Sequence, residues 1–246
     1  MPRLRARRCR RSRRGGWLRG HRAHMLLPVG VYTRPVGRLE QLEEGYRRHH
    51  RDSRSPDFVF CQPERSALFA AWVGGPGRRV LDLGCRYGAL TRAYLEGNEV
   101  VGVDVDREAL AEAAKLGVEA VWADLDEPLP FPDESFDCVV LGEVLEHLRF
   151  PAQAVVEARR VLRPGGLLVG SVPNAYRLKS RLRFLLGRPP EFADDPTHLR
   201  IFRGEDLLAL LAGFERPELR YVAGRLAFLS PRLFANDIVF RAWKPG

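Results

Sequence analysis

The sequence predicts an α/β fold, a mostly parallel sheet with helices on both faces. From residue 78 to 173, short apolar runs alternate with segments of helical periodicity. The runs are apolar throughout, as strands covered on both faces are, rather than alternating in and out. One of them, "VLDLGCRYGAL" at 80–90, passes through an acid and two glycines into a helical pattern. Strand, glycine turn and helix is the arrangement by which many α/β proteins hold a nucleotide-like cofactor.

Taken in order, "LEQLEEGYRRHH" reads as a short helix and "DSRSPD" as a turn. "PERSALFAAWV" opens on Pro, carries Leu68, Phe69, Trp72 and Val73 at roughly helical spacing, and is stopped by "GGPG". "RRVLDLG", "NEVVGVDVD", "VEAVWADL" and "SFDCVVLGE" read as buried strands, with "ALTRAYLEG" and "REALAEAAKLG" as helices between them. "EVLEHL" and "PAQAVVEARRVL" read as helical, Pro151 suiting a helix start, and "RPGG" turns the chain into the strand "LLVGSVP". After Asn174 the rhythm breaks. Residues 174–203 read as an inserted helix and loop, in which "RLKSRLRF" is an amphipathic helix with Leu178, Leu182, Phe184 and Leu185 inward. "RGEDLLALLAGF" is a last helix, and "RPELRYVAG" and "LFANDIVFRAWK" are the last strands.

The net charge of +9 does not belong to this pattern. Residues 1–24 hold ten arginines and no acid; without them thirty basic residues face 31 acidic ones. We read 1–24 as a disordered Arg-rich tail, 25–62 as an N-terminal cap segment and 63–246 as the folded domain. Such a tail could grip nucleic acid through phosphates alone. The plainer reading, an extension of a GC-rich coding sequence with Met25 as the start, is preferred, since the chain has only three lysines. Nucleic acid is therefore expected as a partner only through the tail. No apolar run reaches membrane-spanning length, and no membrane partner is expected. Cys9, Cys61, Cys85 and Cys138 form no C-x-x-C pair, which argues against zinc or a disulfide framework and suits the cytoplasm. No apolar segment follows the arginines, so an export signal is not expected.

Asp82, Asp104 and Asp124 stand at the ends of the first three strands. A dinucleotide sets a pyrophosphate on its glycine turn, usually a G-x-G-x-x-G pattern. Here Gly84 and Gly88 follow Asp82, whose carboxylate would repel a pyrophosphate and suit a cationic ammonium group. S-adenosylmethionine, with an amino-acid end, a ribose and an adenine, answers that description. Asp104 could accept both ribose hydroxyls and Asp124 the adenine amino group.

From about residue 63 onward the chain resembles class I S-adenosylmethionine-dependent methyltransferases, nearest the ubiquinone-biosynthesis O-methyltransferase type and MetW-like proteins. The resemblance rests on "VLDLGCRYG", "VVGVDVD", "ADLDEPLPFPDESFDCVVLGEVLEHL", "RVLRPGG", "SVPN" and "DPTHLRIF". It implies a Rossmann-like, seven-stranded, mostly parallel sheet whose last strand is antiparallel beside the sixth. It also implies a cofactor site of Asp82, Gly84, Cys85, Gly88, Asp104, Val105, Asp124, Leu125 and Glu143, with Leu125 on the adenine and Gly142–Glu143 near the ribose or methionine end. The family loop has a third glycine where Arg86 stands. Arg86 either meets the methionine carboxylate or a nearby acid, or points to solvent.

The reaction implied is methyl transfer to a small-molecule acceptor, with oxygen the favoured atom. His198, in the insert, and His147 are the catalytic candidates, each with a structural alternative as a hydrogen-bonding residue. His21, His24, His49 and His50 lie in polar or arginine-rich stretches and carry no signal. Glu143, Glu146 and His147 fall at i, i+3 and i+4, so a helix would present all three on one face. An E-x-x-E-H stretch accompanies metal-dependent methylation in ubiquinone-type and small-RNA 3′-end enzymes, but no metal is expected here. Two other functions stay open: a MetW-like partner of a methionine-biosynthesis acyltransferase, and an RNA 2′-O-methyltransferase.

Overall fold

In the computed structural model, which describes residues 37–53 and 62–246, the apolar runs become β1 (Arg79–Leu83), β2 (Glu99–Asp104), β3 (Glu119–Trp122), β4 (Phe136–Gly142) and β5 (Leu162–Pro173). β6 (Glu215–Val222) and β7 (Asp237–Trp243) follow. The order is β3-β2-β1-β4-β5-β7-β6, with β7 antiparallel to both β5 and β6. The other pairings are parallel. Strand order reverses between β1 and β4, and in such sheets the crevice beyond the carboxyl ends at that point takes the ligand.

Helices cover both faces. Leu81, Leu83, Val139, Leu141 and Leu168 face α5 (Pro151–Val161) and α7 (Gly204–Leu210). The alternate residues Val80, Val100, Cys138, Val140 and Val169 face α2 (Gln62–Val73), α3 (Arg92–Leu95) and α4 (Arg107–Lys115). Successive strand residues point to opposite faces, so a strand apolar at every position feeds two cores.

Three expectations are corrected. "ALTRAYLEG" yields only the one-turn α3, because the Thr91 and Tyr94 hydroxyls turn inward onto Asp82. "EVLEHL" gives a short 3-10 turn, Leu145–His147, because Glu143 takes φ 59° and starts no helix. "RPGG" lies inside β5, where the β4 pairing shifts register, rather than before it.

The predicted helix at 39–50 is α1 (Arg38–Ser53), and α1 shares a compact unit, Val36–Gly246, with the sheet. The insert contains α6 (Leu178–Leu185), and α8 (Pro231–Phe234) precedes β7. The tail, Cys9, Cys61, His21, His24, the side chains of His49 and His50 and most of "DSRSPD" lie outside the described residues. Among the described residues, no helix is long and apolar enough to cross a membrane.

Candidate functional site

A cavity of about 800 Å³ opens at the carboxyl edge of the sheet. Asp82, Asp104 and Asp124, at or just after the ends of β1, β2 and β3, all line it. So do Gly84, Cys85, Val105, Leu125, Glu143, His147 and His198. Gly88 alone of the expected site residues does not. Its φ is 75°, and a Cβ there would meet Leu116 of the turn after α4 at 2.9 Å, so it serves loop packing. Gly84 also needs the left-handed region, and a Cβ there would meet Val144 at 2.5 Å.

The Asp82 carboxylate is buried and accepts hydrogen bonds from Thr91 Oγ1 at 2.6 Å and Tyr94 Oη at 2.7 Å. Burial pushes its pKa up to about 6, against the pull of those two bonds. Asp104 is set by two backbone N–H groups, Arg86 on Oδ2 and Asp106 on Oδ1, each at 2.9 Å. Arg86 is thus tied through its backbone, at φ 50°, and its side chain lines the cavity and lies over the Tyr87 ring. Asp124 Oδ1 accepts from the Asp126 N–H, while the buried Asp124 Oδ2 is ion-paired with Arg38 Nη2 at 3.0 Å. The Cys85 thiol is packed against Gly102 of β2, and burial raises its pKa well above the usual thiol value.

Helix α1 lines the cavity through Gln41, Leu42, Gly45 and Tyr46. Arg38 forms ion pairs with Asp124 at 3.0 Å and Asp126 at 3.3 Å, and Glu43 with Arg107 at 3.2 Å. Tyr46 lines the cavity edge-on to His147, ring centroids 6.0 Å apart. Burial and then the charges of Asp104, Asp126, Glu146 and Asp195 raise the Tyr46 pKa, so its phenol stays protonated and can donate.

Elsewhere on the cavity wall, His147 and His198 lie with ring centroids 4.8 Å apart. His198 Nδ1 is 2.8 Å from the Phe192 carbonyl oxygen; a carbonyl only accepts, so Nδ1 carries the hydrogen. In the neutral ring the lone pair then falls on Nε2, which lies 3.8 Å from Asp195 Oδ2. His147 Nδ1 is held by Thr197, 3.2 Å from its carbonyl and 3.0 Å from Oγ1. The insert is stitched down where Leu199 and Arg200 donate to the Glu146 carbonyl.

Glu143, Glu146 and His147 do not share a helical face. Glu143 turns to Arg65 Nη1 at 3.0 Å and accepts from Ser171 Oγ at 2.8 Å. Glu146 is buried with neither carboxylate oxygen hydrogen-bonded among the described residues, and burial, then Glu143, pushes its pKa well above the ordinary value of a glutamate. Its ligand atom lies within 4.8 Å of those of His147 and His198.

Arg65, Arg38, Tyr46 and Asp126 were not singled out from sequence. Arg65 had a signal: with Phe69 and Trp72 it falls on the buried stripe of α2, where an arginine needs a partner. Its partners are Glu143 and, at 3.8 Å, the buried Asp237. Asp126 accepts from the Arg149 and Phe150 N–H groups at the start of α5. Tyr46 had no signal.

Residues 81–170 match the family described as a methyltransferase domain. That stretch is thus a methyltransferase domain, similar to those of S-adenosylmethionine-dependent methyltransferases. A "Probable S-adenosylmethionine-dependent methyltransferase" of Mycolicibacterium smegmatis is 41% identical over 145 residues, 56% of this chain and 52% of that one. A ubiquinone biosynthesis O-methyltransferase of Alkalilimnicola ehrlichii is 38% identical over 133 residues, 51% of this chain and 53% of that one. This chain thus spans about half the length of these two relatives. Among solved structures, a SAM-dependent methyltransferase from Archaeoglobus fulgidus superposes with a TM-score of 0.61 at 22% identity, covering 81% of this chain and 99% of that one. The [4+2]-cyclase SpnF gives 0.55 at 26% identity, covering 73% and 80%.

The donor set suits the cofactor: a buried acid for an ammonium group and an acid aligned by two backbone N–H groups for ribose hydroxyls. No phosphate would be welcome among three carboxylates.

Proposed function

We propose that the protein transfers a methyl group from S-adenosylmethionine to a small-molecule acceptor, at oxygen. The observation that carries this reading is the convergence of Asp82, Asp104 and Asp124 on one cavity whose far end holds His147 and His198. Asp104 and Asp124 orient the ribose and adenine, Leu125 packs on the adenine, and Asp82 takes the ammonium end. Arg65, held by Glu143, backs the methionine end. S-adenosylmethionine supplies an activated sulfonium methyl, so the protein's share is positioning, exclusion of water and disposal of a proton. His198 Nε2 takes the proton of the acceptor hydroxyl, its ring fixed by the bond from Nδ1 to Phe192. The Tyr46 phenol donates to the acceptor from the α1 side. The fold also hosts a cyclase, so likeness of fold alone does not choose the reaction. Methyl-labelled cofactor offered with phenols, carboxylic acids and amines tests the reading, and labelling only of amines would overturn the choice of oxygen.

A second reading is favoured by one observation. Glu146, His147 and His198 bring one carboxylate and two imidazoles within 4.8 Å, a set that suits a divalent ion. An ion there would polarise the acceptor oxygen and make His198 a ligand rather than a base. Loss of turnover in EDTA, restored by a divalent metal, supports this reading; indifference to EDTA supports the first.

A further inference from the structure

Helix α6 departs from the pattern its sequence suggests. Its apolar residues were expected inward, yet Leu182 is 49% exposed, Phe184 72% and Leu185 78%, and Leu186 just beyond is 73% exposed. Only Ser180 of the helix is buried, and it lines the cavity. α6 packs against α8, and the segment leading into α8 exposes Leu226, Phe228 and Leu229, at 45%, 78% and 64%. Large apolar side chains gathered in this way mark a contact surface.

The charges on the same elements say what the surface meets. Lys179 and Arg183 are neutralised by Glu191 and Asp194. Arg181, Arg188, Arg225 and Arg232 are exposed and have no acidic partner among the described residues. Bulky apolar residues beside guanidinium groups that have no acidic partner among the described residues match the boundary of a bilayer with anionic headgroups, where the first enter the acyl region and the second meet phosphate. A second copy fits worse, because a two-fold contact would set these four arginines against themselves.

We propose that α6 and the segment 225–232 form a peripheral docking surface for an anionic bilayer, which sets the cavity wall carrying Ser180 toward the membrane. The absence of a spanning helix does not bear on this, since interfacial binding needs none. The inference does not rest on methyl transfer: cofactor binding can be measured on the same variants without vesicles.

The test is flotation of the full chain with vesicles of phosphatidylcholine alone or mixed with phosphatidylglycerol, at low and high salt. The N-terminal arginines would also attract anionic vesicles, but charge attraction alone is screened away by salt. The expected result is binding to the mixed vesicles that persists in part at high salt. Phe184→Ser with Leu185→Ser should lower the high-salt partition by about tenfold or more. Phe228→Glu, on the separate segment, should lower it independently. These side chains are largely exposed, so melting temperature and cofactor affinity should not change. Wild-type protein that does not float, or variants that float equally well at high salt, would overturn the proposal. So would variants that instead abolish self-association of a chain that does not float.

Discussion

Replacing Asp82 by Asn should stabilise the protein while weakening its cofactor site. Asp82 is 3% exposed, and burial raises its pKa from 3.8 to about 6. The folded state therefore holds this proton more tightly than the unfolded state. Between those two values stability falls as pH rises, and above about 6 the whole cost of the buried charge is present. A rise of about two pH units corresponds to about 3 kcal/mol at neutral pH. Asparagine keeps a carbonyl oxygen to accept from Thr91 and Tyr94 and carries no charge, although its amide N–H groups must find partners, so about 3 kcal/mol is an upper bound. Urea unfolding of both proteins across a pH series isolates the effect. Asp82→Asn should be the more stable above pH ~6, with the advantage shrinking toward pH ~4. An advantage that does not change with pH, or a variant less stable at neutral pH, would refute the reasoning that burial dominates at this carboxylate.

The remaining outcomes follow from the same geometry. Arg65→Met strands Glu143 and the buried Asp237 and should cost about 3–5 kcal/mol in urea unfolding. His198→Ala should impair turnover or acceptor binding and leave S-adenosylmethionine affinity within about twofold, read by paired calorimetry and kinetics. Removing residues 1–24 should leave melting temperature and cofactor affinity nearly unchanged, because that stretch offers few apolar residues to a core.

The sheet was legible because strands covered on both faces are apolar at nearly every position, and β1, β2 and β4 show this in "VLDLG", "VVGVD" and "CVVLG", broken only by Asp82 and Asp104. That Asp82, Asp104 and Asp124 meet at one cavity was legible because strand ends fix where they stand. What was not legible depends on contacts between distant segments. Thr91 and Tyr94 look like helix residues until Asp82 is seen to need their hydroxyls. The spacing of Glu143, Glu146 and His147 suggests one helical face, but the positive φ of Glu143 parts them, and the third member of the cluster, His198, comes from the insert. Tyr46 reaches His147 only because Arg38 and Glu43 anchor α1 to acid and base near the ends of β2 and β3. In α6, helical periodicity gave the right element and the wrong side, since periodicity says which residues share a face but not what that face meets.

Calorimetry of wild-type protein and Asp104→Ala with S-adenosylmethionine, S-adenosylhomocysteine and NAD tests most directly whether this cavity is a cofactor site of the kind described. The expected result is binding of both adenosyl compounds, none of NAD, and a loss of about 2 kcal/mol in Asp104→Ala, where charge-assisted hydrogen bonds to the ribose are removed. Binding of NAD, or adenosyl affinity unchanged in a folded Asp104→Ala variant, would contradict the placement of the ribose at the end of β2.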